Sequence, residues 1–572
     1  MALKSIAIFA DYDGVIADDL NIGVGLVHNK TARRIHSIHS TPSHVSQLAR
    51  QRAVYDMYKR ILLAISVLIA LAAVFFSQGD VPDHPPYVQG RNKTVLFLVN
   101  YQPGLSNVHV ATASSLLENH PDIEVHFASF PKLGKKLQRI SAFARTKTAE
   151  AQDVIFHEMK SPSYGDAIAA AGKTILNIPH PPGAAGIAHL CRDMQIWISP
   201  WTVEDHMAVY EELTAIIHEV DPAVVVLDTL FRPAIDATRD NNRHHAIITP
   251  NTVIDNFLAD QPHGSMFWKY PAVASGFSFP VPWRNIPENI YLNMRFIYSV
   301  LVMPGLNAKK AMLKEKGLLD PINFYKMYRQ DVPWITMTTE GATIPVDFIP
   351  PNVTCAGPMV LSAAPAVEQD SHMVDWLTKG PTILINLGSS VIWTQTQATI
   401  MTEAIAVVLD KTNVQILWKF KKFGNYSDDY LVALKPHLDG GRLRMEEWLT
   451  VDPSSLLETG YIIASVHHGG SNCYHEAIVA GVPQIILPQW ADLYGFAALA
   501  ETIGVGVWAC RQTSPGWTVD SIAQALLKVV DGGEASISMR ETARQLGVTV
   551  RSRGKGRDIA AQVVANMAYT GK

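Results

Sequence analysis

Cysteine is scarce in this chain. Its four residues, Cys191, Cys355, Cys473 and Cys510, are scattered through 572 positions without a CxxC pair, which excludes a disulfide framework and leaves them as ordinary thiols. Excess charge of one sign is missing too. The formal net charge is −4, and no interleaved basic and aromatic stretch stands outside the N-terminal tail, so nucleic acid is excluded as the expected partner. Repeats of solenoid period are absent. Long hydrophobic runs are lacking but for one.

That run is Ile61 to Phe76, apolar except for Ser66, with Lys59 and Arg60 before it and Gln78, Gly79 and Asp80 after it. At about 1.5 Å per residue it covers roughly 24 Å, which Met57, Tyr58 and Ser77 can extend. The flanks favour a single-pass anchor over residues 56–78, against a cleaved signal or a buried helix. Arg50, Arg52, Lys59 and Arg60 outnumber Arg91 and Lys93, which puts the N-terminus on the cytosolic side. The expected location is therefore an endomembrane such as the endoplasmic reticulum, with a lumenal body. Residues 1–55 read as a polar, His-rich tail. Within it KSIAIFADYDGVIAD is similar to the first motif of haloacid dehalogenase-type phosphatases, through Asp11 and Asp13, but too few residues precede the apolar run to hold that fold.

With 48% apolar residues the chain is too long for a single core, so at least two domains are expected. From Thr94 onward, strand-like runs alternate with helical patterns: Thr94 to Asn100, a helix near Asn107 to Asn119, Ile123 to Ser129, Ala223 to Asp228, then Ala234 to Arg239. A second series runs through Thr382 to Leu387, Val414 to Phe420, Tyr461 to Val466 and Gln484 to Leu487. Such alternation predicts α/β architecture with two Rossmann-like domains, residues 91–345 and 346–572, facing a central cleft. The Pro-rich strip from Ile344 to Pro358 is the expected joint.

The most informative stretch is SVHHGGSNCYHE, Ser465 to Glu476. It follows a buried-strand pattern and opens a helical segment, Cys473 to Ala480, which Gly481 and Pro483 end. A strand, a Gly-rich turn and a helix N-terminus make anion-binding geometry, because the glycines admit a ligand to the backbone and the first-turn amides and helix dipole favour negative charge. Taken alone, the same residues also fit a surface turn before a helix.

Together with its neighbours this stretch resembles the family 1, GT-B-fold, UDP-sugar-dependent glycosyltransferases, with wording closest to fungal members and similarity from about Thr94 onward. The resemblance implies a donor site in the second domain. Trp448 looks like the Trp that stacks on uracil, two residues further from the turn than in plant members. His468 looks like the diphosphate histidine and Gly470 the tight-turn glycine. Asn472 and Cys473 look like the phosphate-contacting pair, with Cys473 replacing the usual Ser or Thr, and Ser471 beside them is a further expected donor-binding residue. Glu476 looks like the ribose hydroxyl acceptor, and Gly388 and Ser389 like the loop facing the nucleotide. Asp492 resembles the acid that holds sugar hydroxyls, although Leu493 stands where many plant members have Gln.

The same resemblance implies a catalytic His at the start of the first helix and an Asp after a later strand. Asp228 matches the Asp. At the His position stands Ser106, and a hydroxyl cannot act as a neutral-pH base, so the nearest imidazole, His109, is the candidate, with a core histidine as its alternative. An imidazole and oriented amides neutralise a diphosphate without metal, so no cofactor or metal is expected. Phe257, Phe267, Trp268, Tyr270, Phe277, Phe279 and Trp283 suit either the wall of a lipophilic acceptor pocket or a core cluster. The reading is an inverting transferase moving a hexose, glucose by expectation, from a UDP-sugar to a hydroxyl of a phenol, polyketide, terpenoid or sterol-like acceptor. A catalytically silent UDP-sugar-binding protein is the alternative.

Overall fold

The computed structural model describes residues 86–571, apart from 363 and 390. Within it, strand β1 (Arg91–Leu98) shows why the alternating pattern yields parallel sheets: Val95, Leu96, Phe97 and Leu98 are all fully buried, so both strand faces are covered by other layers. The first sheet also holds β2 (Glu124–Ser129), β3 (Ile155–Glu158), β4 (Pro222–Asp228), β5 (His245–Ile248), β6 (Trp334–Thr336) and β7 (Val353–Cys355). Its order is β3-β2-β1-β4-β5-β6-β7, every pair parallel.

The second sheet comprises β8 (Thr382–Ile385), β9 (Gln415–Lys419), β10 (Leu443–Glu446), β11 (Ile462–His467), β12 (Gln484–Ile486) and β13 (Gly506–Trp508). Its order, β10-β9-β8-β11-β12-β13, repeats that of the first six strands of the other sheet. Both are doubly wound, and in such sheets the crevice beyond the carboxyl ends of the strands is where ligands sit.

Five helices bear on the two carboxyl edges and their support: α1 (Pro103–Asn119), α2 (Gly134–Lys147), α3 (Val253–Phe257), α4 (Ser471–Ala480) and α5 (Gly556–Thr570). Val108, Ala111 and Leu116 of α1 pack with Phe97 and Phe127 over one face of the first sheet, the two rings stacked at 5.2 Å. Truncating such a ring to alanine costs about 3–5 kcal/mol. Ala560, Ala561 and Val564 of α5 join the same core, so the chain returns to the first sheet after completing the second. The return is fastened by a buried ion pair, Arg557 Nη2 to Glu118 Oε2 at 3.0 Å, and by Ser115 Oγ donating to Asp558 Oδ1 at 2.7 Å. Gly556 is required at the crossing, since a Cβ there would lie 2.6 Å from the carbonyl oxygens of Gly357 and Pro358.

The fold departs from the sequence expectation in two places. The strip from Ile344 to Pro358 is not merely a joint, because Val353–Cys355 within it forms the last strand of the first sheet. The expected fold also included a membrane-spanning helix, and this is corrected: among the described residues no helix is long and apolar enough to cross a membrane. The described architecture is the two-sheet α/β body. The segment 56–78, the residues 1–55 with Asp11 and Asp13, and the lumenal placement inferred from them lie outside the described residues.

Candidate active site

The carboxyl ends of the two sheets are joined by direct bonds. Asn472 Nδ2 donates to the Pro103 and Gly104 carbonyls at 3.1 and 3.2 Å, and Ser471 Oγ donates to the Pro250 carbonyl at 2.5 Å. Arg139 Nη2 pairs with Asp452 Oδ1 at 2.5 Å, and Ala491 N donates to His180 Nε2 at 3.1 Å. Of the residues expected at the donor site, Ser471 and Asn472 thus link the halves through their side chains.

The turn after β11 explains its own sequence. Gly469 has φ +93°, and a Cβ there would meet Ile486 and the Leu493 carbonyl at 2.9 Å. Helix α4 begins at Ser471, two residues before the sequence expectation, with Gly470 as its N-cap. No side chain caps it and no acid stands in its first turn, so the first amides keep their donors for another acceptor. His468 lies between two glycines: a Cβ on Gly388 or Gly470 would come 2.6 Å from its ring. Its Nδ1 is buried with no hydrogen-bond partner among the described residues, and burial pushes the imidazole down to about 3, so it is neutral at ordinary pH. The adjacent His467 is occupied, its Nε2–H donating to Gln484 Oε1 at 2.8 Å while Nδ1 accepts from Gly469 N at 3.1 Å.

One helical turn beyond Asn472, the buried Glu476 shares its face of α4. Burial pushes its carboxyl up to about 8, with Asp452 and Glu458 adding to the rise and the Lys136 ammonium opposing it. Asn107, Met337, Asn472 and Glu476 line a narrow crevice here. Burial likewise raises Asp492 to about 7, and the second cause is another carboxylate, Asp255 of α3. The Cys473 thiol is raised by burial and stays protonated. Trp448 is 57% exposed, with its ring face beneath the Lys419 ammonium at 3.8 Å. Gly388 has φ +78° and precedes the half-buried Ser389.

The pair expected to be catalytic has a different character. Asp228, closing β4, accepts from Asn100 N and Nδ2 at 3.3 and 3.2 Å on Oδ2, and from Leu230 N at 2.9 Å on Oδ1. His109 lies close enough for the two charges to act on each other, and burial lowers the imidazole while raising the carboxyl. Yet His109 is fully buried, with Nδ1 3.0 Å from the Leu105 carbonyl and Nε2 3.2 Å from the Leu227 carbonyl. The neutral ring donates to one of these carbonyls only, and its other nitrogen sets a lone pair against a carbonyl oxygen. Ser106 is also fully buried, donating to the Tyr101 carbonyl at 3.3 Å.

The aromatic group divides. Phe257 packs edge-on to Tyr328 and Trp334, and Tyr270 stacks on Phe279 while its hydroxyl accepts from Asp347 N, so these are core residues. Trp268 and Trp283 are exposed. Three groups at the site escaped the sequence reading: Lys136, whose Nζ donates to Asn107 Oδ1 at 2.5 Å, Lys419 and Asp255. For Lys419 a signal existed, a lysine closing the apolar strand QILWK at the carboxyl edge of a parallel sheet. For the others it lies only in contacts between the halves.

Residues 441–566 match the family model described as the Erythromycin biosynthesis protein CIII-like, C-terminal domain. The chain is 30% identical over 515 residues to the glycosyltransferase sdnJ of Sordaria araneosa, covering 84% of this chain and 99% of that protein. A sterol 3-beta-glucosyltransferase of Leptosphaeria maculans is 36% identical over 101 residues, 18% of this chain and 6% of that one. Among solved structures, TcCGT1 in complex with UDP has a TM-score of 0.56 at 15% identity, over 85% of this chain and 100% of that chain, a likeness of fold.

Proposed function

The chain belongs to the family 1 UDP-dependent glycosyltransferases, and from that premise we propose an inverting transfer of a neutral hexose, glucose first, to a hydroxyl of a lipophilic small molecule. The observation that carries the donor half is the uncapped start of α4 beside a His468 wedged between glycines, with its Nδ1 unpaired. Such a site stabilises a diphosphate as negative charge develops on it. The acceptor oxygen forms its bond to the anomeric carbon from the face opposite the nucleotide, the bond from that carbon to the β-phosphate oxygen breaks, and the hydroxyl proton passes to a base. Amides and imidazole neutralise the departing UDP, so the reading includes no metal.

Neutral sugar is favoured by Asp492 and Asp255: Asp255 helps raise Asp492, and no cation is among the groups that shift either one. A uronate carboxylate would add negative charge there with no cation to meet it. The lipophilic acceptor finds support in the sterol named for the Leptosphaeria maculans relative.

For the base we propose His109, steadied by Asp228, with the ring exchanging the Leu227 carbonyl for the acceptor hydroxyl. A second reading is favoured by the carbonyls already occupying both His109 nitrogens: Asp255 is exposed, and with Oδ2 accepting from Thr252 N and Oγ1, its Oδ1 is left for a hydroxyl. The deciding assay measures UDP release from UDP-glucose, UDP-xylose and UDP-glucuronate with sterol, phenol and terpenoid acceptors, with and without EDTA. Turnover of UDP-glucose that survives EDTA is expected; preference for UDP-glucuronate or dependence on added metal would overturn the corresponding part. Loss of turnover in Asp255→Asn but not in His109→Ala would select the second reading.

A further inference from the structure

Strand β9 ends in Lys419, and its position is set by the sheet order: β9 neighbours β8, which leads into Gly388, and β8 neighbours β11, which leads into His468 and α4. The Lys419 ammonium lies 3.8 Å above the centre of the Trp448 ring and donates to the Gly388 carbonyl at 2.9 Å. An ammonium has three donors, and that carbonyl takes one. The groups that shift Lys419 are its own burial, Cys473 and Lys421; no carboxylate is among them. Burial lowers it to about 8, and it in turn helps hold His468 neutral. A half-buried cation without a counter-ion, near an uncapped helix N-terminus and an unpaired imidazole nitrogen, is costly unless an anion completes the site.

The ring beneath it carries a second constraint. At 3.8 Å the ammonium covers one face of the ring, and a planar base stacking on that face has to displace it. We propose that Lys419 is a movable donor-site cation, which covers Trp448 in the empty enzyme and transfers to the diphosphate when a UDP-sugar stacks in its place. This inference rests on the proposed donor site at the start of α4. It explains how the site tolerates Cys473, a weak hydrogen-bonding group, among the phosphate-contacting residues. It also predicts that base and diphosphate contribute oppositely at Lys419: a nucleoside displaces the ammonium without replacing its partner, whereas a nucleoside diphosphate supplies a stronger one.

The experiment is calorimetric titration of the full chain, wild type, Lys419→Met, Lys419→Gln and Lys419→Arg, with UDP and with uridine, the fold of each being checked by circular dichroism. Loss of a charge-assisted contact should weaken UDP about 10–100-fold in the Met and Gln variants, and only a few-fold in Lys419→Arg. Uridine affinity should hold or rise a few-fold as the ring is freed. Equal weakening of UDP and uridine, or unchanged UDP affinity, would overturn the role of Lys419 while leaving the donor site standing. Wild-type protein that binds neither compound overturns the donor site and this inference together.

Discussion

The two sheets share a strand order but finish their carboxyl edges differently. At the edge of the first, Asp228 is held by Asn100 and Leu230 and both His109 nitrogens lie against backbone carbonyls, while Asn100 Oδ1 is buried without a partner among the described residues. At the edge of the second the unmet groups are of another kind: His468 Nδ1 is unpaired and no carboxylate acts on Lys419, beside a start of α4 that, like that of α1, no side chain caps. Leaving buried polar groups unmet costs stability, so they persist where a ligand meets them. On the proposed reading the unmet imidazole and ammonium of the second edge suit an anion, whereas the first edge holds its own carboxylate, Asp228, with amide donors.

Each side of that contrast can be broken. The largest effect is expected at Gly470→Ala, whose Cβ would strike the His468 ring: turnover should fall about a hundredfold or more, with little change in Tm. A large loss of Tm instead would make the turn structural. Next, His468→Ala should lower kcat about 10²-fold while leaving Tm level or higher, because the imidazole brings an unmet nitrogen into the interior. His109→Leu should behave in reverse, costing about 1–3 kcal/mol in urea unfolding by stripping one of the Leu105 and Leu227 carbonyls of its donor. If it abolishes turnover with unaltered unfolding, the contrast fails and His109 is the base.

The smallest effect is a pH dependence. Glu476 is raised to about 8 in the fold, so between the unfolded carboxylate range, about 4.5, and about 8 the native state holds a proton that the unfolded chain has released. Stability should fall as pH rises through that window. The facing groups are Lys136, which opposes the shift, and Asp452 and Glu458, which enlarge it. Glu476→Gln should flatten the slope in urea titrations at pH 5, 6, 7 and 8; an unchanged slope would remove Glu476 as its source.

Much of the fold is legible in the sequence because buried parallel strands leave continuous apolar runs. The runs Ala223 to Asp228 and Thr382 to Leu387 coincide within a residue or two with β4 and β8. The turn after β11 is legible because a Gly-Gly pair between a strand pattern and a helix pattern marks it locally. Three-residue β7 is not, since so short a run inside a Pro-rich strip carries no periodicity. Nor is the burial of His109, which depends on the carbonyl of a strand 118 residues away. Asp255 and Asp492 likewise become partners only when the halves meet.

The return of α5 to the first sheet has a consequence in time. The core under α1 lacks Ala560, Ala561 and Val564, and Arg557 is missing beside Glu118, until residues 556–570 have left the ribosome. At about 5–20 residues per second, the half synthesised first therefore waits on the order of ten seconds or more for its closing helix. Meanwhile the donor half, whose strands lie within residues 382–508, can assemble from consecutive chain. The order of synthesis and the order of completion are thus opposed, and the acceptor half is the last part of this enzyme to become itself.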